Sequence, residues 1–212
     1  MNKAEFLLAD VLASGVHDVK NSLFAAEAHL LPGDINARAA CTLIRSASIR
    51  LNKMLGAYHL LRHDLQLPIT VITISELIED AVLQAKESFE RKIKVVVKLQ
   101  TNGDWMLARE EINDVLINAL QNADRFAKSL IEVRAYQSEQ DLFLEIHDDG
   151  PGFPEGLKIG KPDGKGRGLG LFIATRVASH HKRKHGDQIV EGSVLLSKSE
   201  HLGGGKFTLR LP

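Results

Sequence analysis

Residues 4–31 contain no proline and a single glycine, Gly15, while apolar residues recur at Phe6, Ala9, Ala13, Val16, Leu23, Ala26 and Leu30. Lys20 interrupts an otherwise three-and-four spacing. The pattern predicts a long amphipathic helix. Leu-Pro-Gly-Asp at 31–34 breaks it, and a second such helix runs through Ala40, Ile44, Ala47, Leu51, Met54, Tyr58 and Leu61. Each helix carries one apolar stripe, and a lone pair cannot cover both. Two copies of the hairpin make a four-helix bundle with a shared core, so residues 1–66 are expected to form a homodimer. Cys41 is expected to be a small core residue of the second helix.

The pattern changes around residues 66–70, where Pro68 marks a linker. Ser75 then precedes a helix expected to run to about Arg91, Val95–Leu99 reads as a β-branched strand, and Ala108–Ala127 as a helix. Residues 131–136 and 142–147 alternate like neighbouring strands. A glycine-rich loop, a helix from Leu169 to about His180 and a closing strand at Lys206–Leu211 follow. Helices with mostly antiparallel strands in this order predict an α+β fold, in which the hairpin precedes an α/β sandwich over residues 67–212.

Lys and Arg number 27 against 27 Asp and Glu, so no basic excess favours nucleic acid or an anionic membrane. The apolar stretches fall far short of the roughly 20 residues that span a bilayer. The single cysteine excludes an internal disulfide and fits a reducing compartment, from which a cytoplasmic location is expected.

Four segments carry chemistry: HDVKNSL at 17–23, NALQNADRF at 118–126, DDGPG at 148–152 and GKGRGLGL at 164–171. Asn118 and Asn122 lie four apart and share one helix face. Asp148, at a strand end, can accept from an exocyclic amine such as adenine N6, and Gly150 and Gly152 let the backbone pass close to a flat ring. Gly166, Gly168 and Gly170 open a helix whose first amides favour phosphate. Asn122 offers a neutral oxygen to Mg²⁺, and Arg125, one turn on, can pair with a phosphate oxygen. Together these describe an ATP cradle. Any one alone is weak evidence: a lone histidine is usually a surface residue, and Asp148 alone would read as a turn former. Neither GRGLG nor GGGKFT matches a dinucleotide or phosphate-loop fingerprint.

In order and spacing these segments resemble the phospho-acceptor, asparagine and two glycine boxes of sensor histidine kinases, and GGGKFTLRLP at 203–212 is similar to the last strand of that family's ATP-binding domain. The resemblance covers essentially the whole chain. It implies a dimerisation and phosphotransfer hairpin followed by a Bergerat-type ATP-binding domain, with ATP and Mg²⁺ as cofactors and a response-regulator receiver domain as partner. His17 is the implied phospho-acceptor, with Asp18 and Asn21 as catalytic neighbours. The implied nucleotide contacts are Asn118, Asn122, Arg125, Asp148, Gly150, Gly152, Lys165, Gly166, Gly168 and Gly170, with Asn122 on the metal. An acidic residue after the histidine and an amide at the fourth position imply a phosphatase activity as well. Ser22 stands where the family commonly has proline.

Two other functions compete. Gyrase-like and heat-shock ATPases of the same superfamily place a glutamate four residues before the magnesium asparagine; here Asn118 occupies that position and cannot act as a general base. A phosphotransfer adaptor with a degenerate ATP site would share the fold, and the short lid between Phe153 and Lys165 is the feature that suggests it.

Overall fold

The computed structural model describes residues 3–30, 36–62, 67–89, 91–101, 103–154 and 169–212. The chain divides into two compact units, Met1–Asp64 with Gly160–Ile173 and Leu65–Ile159 with Ala174–Pro212.

In the first unit α1 (Lys3–Ala28) packs on α2 (Ala37–Arg62). Val19, Ala26, Ala40, Ala47 and Met54 are buried between them. The seam is built from small side chains, and it is tight. A Cβ on Gly15 would sit 2.6 Å from Met54 Sδ, so the Met54 side chain occupies the space that this glycine leaves. Val19 fills the seam position that the three-and-four spacing left vacant, and Lys20 lies outside with its ammonium 5.4 Å from the centre of the Phe24 ring. Asn36 caps α2 by accepting the Ala39 amide at 3.1 Å. Ser22 leaves α1 unbroken, its hydroxyl bonding back to the Asp18 carbonyl at 3.0 Å. Cys41 is exposed, contrary to expectation. It follows the buried Ala40 and is turned about 100° away from the seam.

The second unit begins with β1 (Ile69–Thr73), α3 (Ile74–Lys86), β2 (Lys94–Leu99), β3 (Asp104–Ala108) and α4 (Arg109–Phe126). Then come β4 (Leu130–Ser138), β5 (Asp141–Asp148), α5 (Leu169–His180), β6 (Lys182–His185), β7 (Gln188–Glu191), β8 (Ser193–Lys198) and β9 (Gly205–Leu211). The main sheet has the order β2-β4-β5-β9-β8, with β2 and β4 parallel and the other pairs antiparallel. Alternation along the strands gives it one apolar face, from Ile131, Val133 and Ala135 on β4, Leu142, Leu144 and Ile146 on β5, and Leu209 and Leu211 on β9. Helices cover that face. α4 buries Ile112, Val115, Leu116, Ala119 and Leu120 at helical spacing and packs against α3 as well as β4 and β5.

The segment read as a linker is in part strand β1, which pairs antiparallel with β3 from Ile69↔Ala108 to Thr73↔Asp104. Ser75 lies inside α3, because the extended Thr73 is the capping residue. That helix stops at Lys86, short of Arg91, where the amide and hydroxyl of Ser88 both turn back to the Ala85 carbonyl.

Candidate nucleotide site

Asp148 ends β5 and is almost fully buried. Its Oδ1 accepts two backbone amides, Gly150 at 2.8 Å and Gly205 at 3.1 Å, while Oδ2 accepts none among the described residues. Glycines make this enclosure possible. A Cβ on Gly150 would lie 2.4 Å from the Phe126 carbonyl oxygen and 2.8 Å from Asp148 Oδ1, and one on Gly204 would lie 2.5 Å from that same oxygen. Gly150 is therefore needed for close approach to α4 and to the carboxylate. Gly152 has φ 83°, a left-handed conformation that glycine adopts freely.

The next residue ties this strand end to α4. Asp149 accepts from the amides of Lys128 (2.7 Å) and Ser129 (3.1 Å) and from the Ser129 hydroxyl (2.7 Å). Burial alone would raise its pKa, but the hydrogen bonds from Ser129, Leu130 and Lys128 outweigh this and hold it at about 2. The chain leaving α4 is thus clasped to the chain leaving β5.

On α4, Asn118 donates to the Asp114 carbonyl at 2.9 Å, and its Oδ1 is buried with no hydrogen-bond partner among the described residues. Asn122, one turn later, is half-buried and likewise makes no hydrogen bond among the described residues; Arg125 is exposed. A buried amide oxygen without a donor costs about 1–3 kcal/mol unless something supplies one. The half-buried Asn122 amide, with no donor to its oxygen among the described residues, suits a hydrated cation that takes its other ligands from phosphates. The residues present fit magnesium.

Asp148 and Gly150 lie where the end of β5 meets the end of α4 at Phe126, while Asn118, Asn122 and Arg125 follow one another along α4 at helical spacing. Gly170 lies in the first turn of α5. Lys165, Gly166 and Gly168, and most of the short lid, lie outside the described residues.

The acceptor cluster sits in the hairpin unit. His17 is 71% exposed on α1. Its Nδ1 faces the Asn21 amide at 3.2 Å and the Asp18 carboxylate at 3.9 Å, which leaves Nε2 open. Of these two neighbours the Asn21 amide lies nearer to the imidazole.

Gly204, Gly205 and Asp149 were not singled out from sequence. The first two lie in the quoted GGGKFT run, and their tie to Asp148 spans 57 residues, so only folding reveals it. A separate hollow of about 330 Å³ lies on the opposite sheet face, bordered by Arg134, Tyr136, Glu145, His147, His201 and Lys206. Most of its charges are paired within the protein. Lys98, Arg134 and His201 all meet Glu132, whose pKa burial would raise but whose three partners bring it to about 2.

Residues 107–212 match the family described as histidine kinase-, DNA gyrase B-, and HSP90-like ATPase. The chain belongs to that family, and its curated relatives are sensor histidine kinases. Sensor protein KdpD of Clostridium acetobutylicum is 28% identical over 158 residues, covering 66% of this chain and 16% of that protein. The chain spans between 16% and 27% of the length of the first curated relatives it matches. Among solved structures, the histidine kinase AdeS of Acinetobacter baumannii superposes with a TM-score of 0.70 at 19% identity, over 94% of this chain and 95% of that one. The histidine kinase ThkA, solved in complex with response regulator protein TrrA, superposes with a TM-score of 0.73 at 18% identity, over 99% and 63%. The fold is that of a histidine kinase core, a helical hairpin with an α/β ATP-binding domain. Among the described residues no helix is long and apolar enough to cross a membrane.

Proposed function

We propose that the chain is the catalytic core of a two-component histidine kinase: residues 67–212 bind Mg-ATP, His17 takes the γ-phosphoryl group, and a response-regulator aspartate receives it. Residues 1–66 dimerise the protein and present His17. The observation that carries this reading is the Asp148 carboxylate, held by two glycine amides on one oxygen and left with an open acceptor on the other. That acceptor matches the exocyclic amine of adenine. Asn122 would hold magnesium, which when bound offsets charge on the phosphates.

The open Nε2 of His17 is the nucleophile. It forms the N–P bond as the bond from the γ-phosphorus to the leaving oxygen of ADP breaks; the ring proton sits on Nδ1, where the Asp18 carboxylate balances the imidazolium charge once the Asn21 NH₂, which meets Nδ1 as a donor in the free protein, has turned away. Most of the rate comes from positioning and fixed charge. Once the phosphoryl group has moved to the regulator, the Asn21 amide can orient a water against the phospho-aspartate, which gives a phosphatase.

Incubation with γ-labelled Mg-ATP tests this. We expect acid-labile, base-stable label that disappears in His17→Gln, and an Asn21→Ala protein that still takes label but dephosphorylates its regulator far more slowly. Label persisting in His17→Gln removes His17 from the mechanism, and parent-like dephosphorylation by Asn21→Ala removes the water-orienting role.

A further inference from the structure

Consecutive strand residues point to opposite faces, so His147 lies across β5 from Asp148. It is 3% exposed, and both ring nitrogens are engaged: Nδ1 meets Ser199 Oγ at 3.0 Å and Nε2 meets Glu145 Oε2 at 3.0 Å. Glu145 is also buried, and Tyr136 and Thr208 donate to its other oxygen at 3.2 and 3.3 Å. Ser199 is completely buried at the start of the turn between β8 and β9. Its amide donates to the Gly204 carbonyl and its carbonyl accepts from Gly203, both at 2.8 Å, while its Oγ accepts from Leu202 at 3.3 Å. The Glu145 carboxylate can only accept, so Nε2 carries the proton, and the Nδ1 of the neutral ring accepts from the Ser199 hydroxyl.

The turn that Ser199 opens ends at Gly204 and Gly205, which close on Asp148 from the far side: Gly205 donates to Oδ1, and Gly204 leaves no room for a side chain beside it. We propose that His147 and Ser199 are positioning residues for adenine recognition. Anchored by Glu145, they fix the 199–205 turn; the turn fixes the Gly205 amide; that amide holds the Asp148 carboxylate with Oδ2 as the open acceptor. The inference rests on the assignment of Asp148 to adenine. At purine C6 adenine carries an amine, a donor, where guanine carries an oxygen, an acceptor. A carboxylate held in one rotation favours the donor and repels the acceptor, whereas a carboxylate free to turn does both less well.

The test measures ATP and GTP affinities of the whole chain by calorimetry, with melting temperatures alongside. The parent should prefer ATP. Ser199→Ala, which removes one hydroxyl and leaves Asp148 in place but less firmly held, should lower the ATP-to-GTP preference about tenfold, the order of one net hydrogen bond. His147→Gln keeps an amide near the Nε2 position and loses the contact to Ser199, so it should behave like Ser199→Ala. His147→Asn places its amide near the Nδ1 position, keeps that contact and should retain the preference. A purely structural role would lower melting temperatures and leave the nucleotide ratio unchanged. An unchanged ratio in Ser199→Ala and His147→Gln, with ATP binding by the parent intact, overturns this inference alone. Failure of the parent to bind ATP overturns the functional reading and this inference with it.

Discussion

Asp148 and Asp149 are adjacent carboxylates put to opposite uses. Asp149 gives both oxygens to the protein, accepting from Lys128 and Ser129, and so acts as a clasp. Asp148 gives only Oδ1 and keeps Oδ2. Asp148→Asn separates these roles, because the Gly150 and Gly205 amides require an oxygen facing them and so force the new NH₂ into the place of Oδ2. There it would meet the adenine amine donor to donor. We expect ATP affinity to fall at least about tenfold, roughly 1.4 kcal/mol, with the melting temperature of the free protein little changed. Calorimetric titration decides it: parent-like affinity in Asp148→Asn would take this carboxylate out of the base contact.

At the scale of elements, the beginning of α4 and the end of α5 are joined by one buried histidine. His181 Nδ1 lies 2.8 Å from the Val177 carbonyl, and the Ala108 amide donates to Nε2 at 3.1 Å. Ala108 is the capping residue of α4 and its side chain supplies no cap, so the imidazole serves that end. Both bonds need a neutral ring with its proton on Nδ1. Burial lowers the His181 pKa, His180 adds to this, and the Val177 carbonyl and Glu111 oppose it without restoring the ordinary value of 6.5. A histidine with a depressed folded-state pKa contributes fully above the unfolded value and loses that contribution as pH falls below it, through the folded value. The urea midpoint of the parent should therefore drop between about pH 7.5 and about pH 5.5 by more than that of His181→Gln. Equal drops would show that His181 does not titrate with folding. This staple is not legible in the sequence, because the partner of His181 lies 73 residues away. The long helices and the β4–β5 pair were legible because their periodicity is local. β1 and β3 were not, since each is five residues long and gains its ladder from the other across some 35 positions. The β6–β7 hairpin, KRKH against QIVE, carries too little apolar alternation to announce a strand. The site divides the same way: the asparagine and DDGPG boxes stood out as local motifs, whereas the Asp149 clasp and the Gly204–Gly205 closure are tertiary contacts.

For the whole molecule, the apolar residues of the hairpin form a heptad pattern of which the two helices use only half. Val19 and Ala26 on α1, and Ala40, Ala47 and Met54 on α2, are seven apart and buried in the hairpin's own seam. Val16, Leu23 and Leu30, and Ile44 and Leu51, are also seven apart, yet all five are between 43% and 54% exposed. The inner set is mostly alanine and lets the helices approach; the outer set is large and open, as one half of a shared bundle core would be. A second copy of the same hairpin would cover it. Ile44→Asp should then abolish the dimer without harming the protomer, whereas Ala47→Asp, one turn away in the inner seam, should destabilise the hairpin itself. Burial of one such side chain contributes about 1.5–3 kcal/mol, and two-fold symmetry applies the loss twice, so roughly 3–6 kcal/mol is removed from association. That corresponds to about two to four powers of ten in the dimer dissociation constant. Sedimentation equilibrium of the full chain, with far-ultraviolet circular dichroism to confirm helix content, should show a dimeric parent, a helical monomer for Ile44→Asp and reduced helicity for Ala47→Asp. An Ile44→Asp protein that remains dimeric at the parent's concentration would mean that the outer heptad positions are not the dimer core.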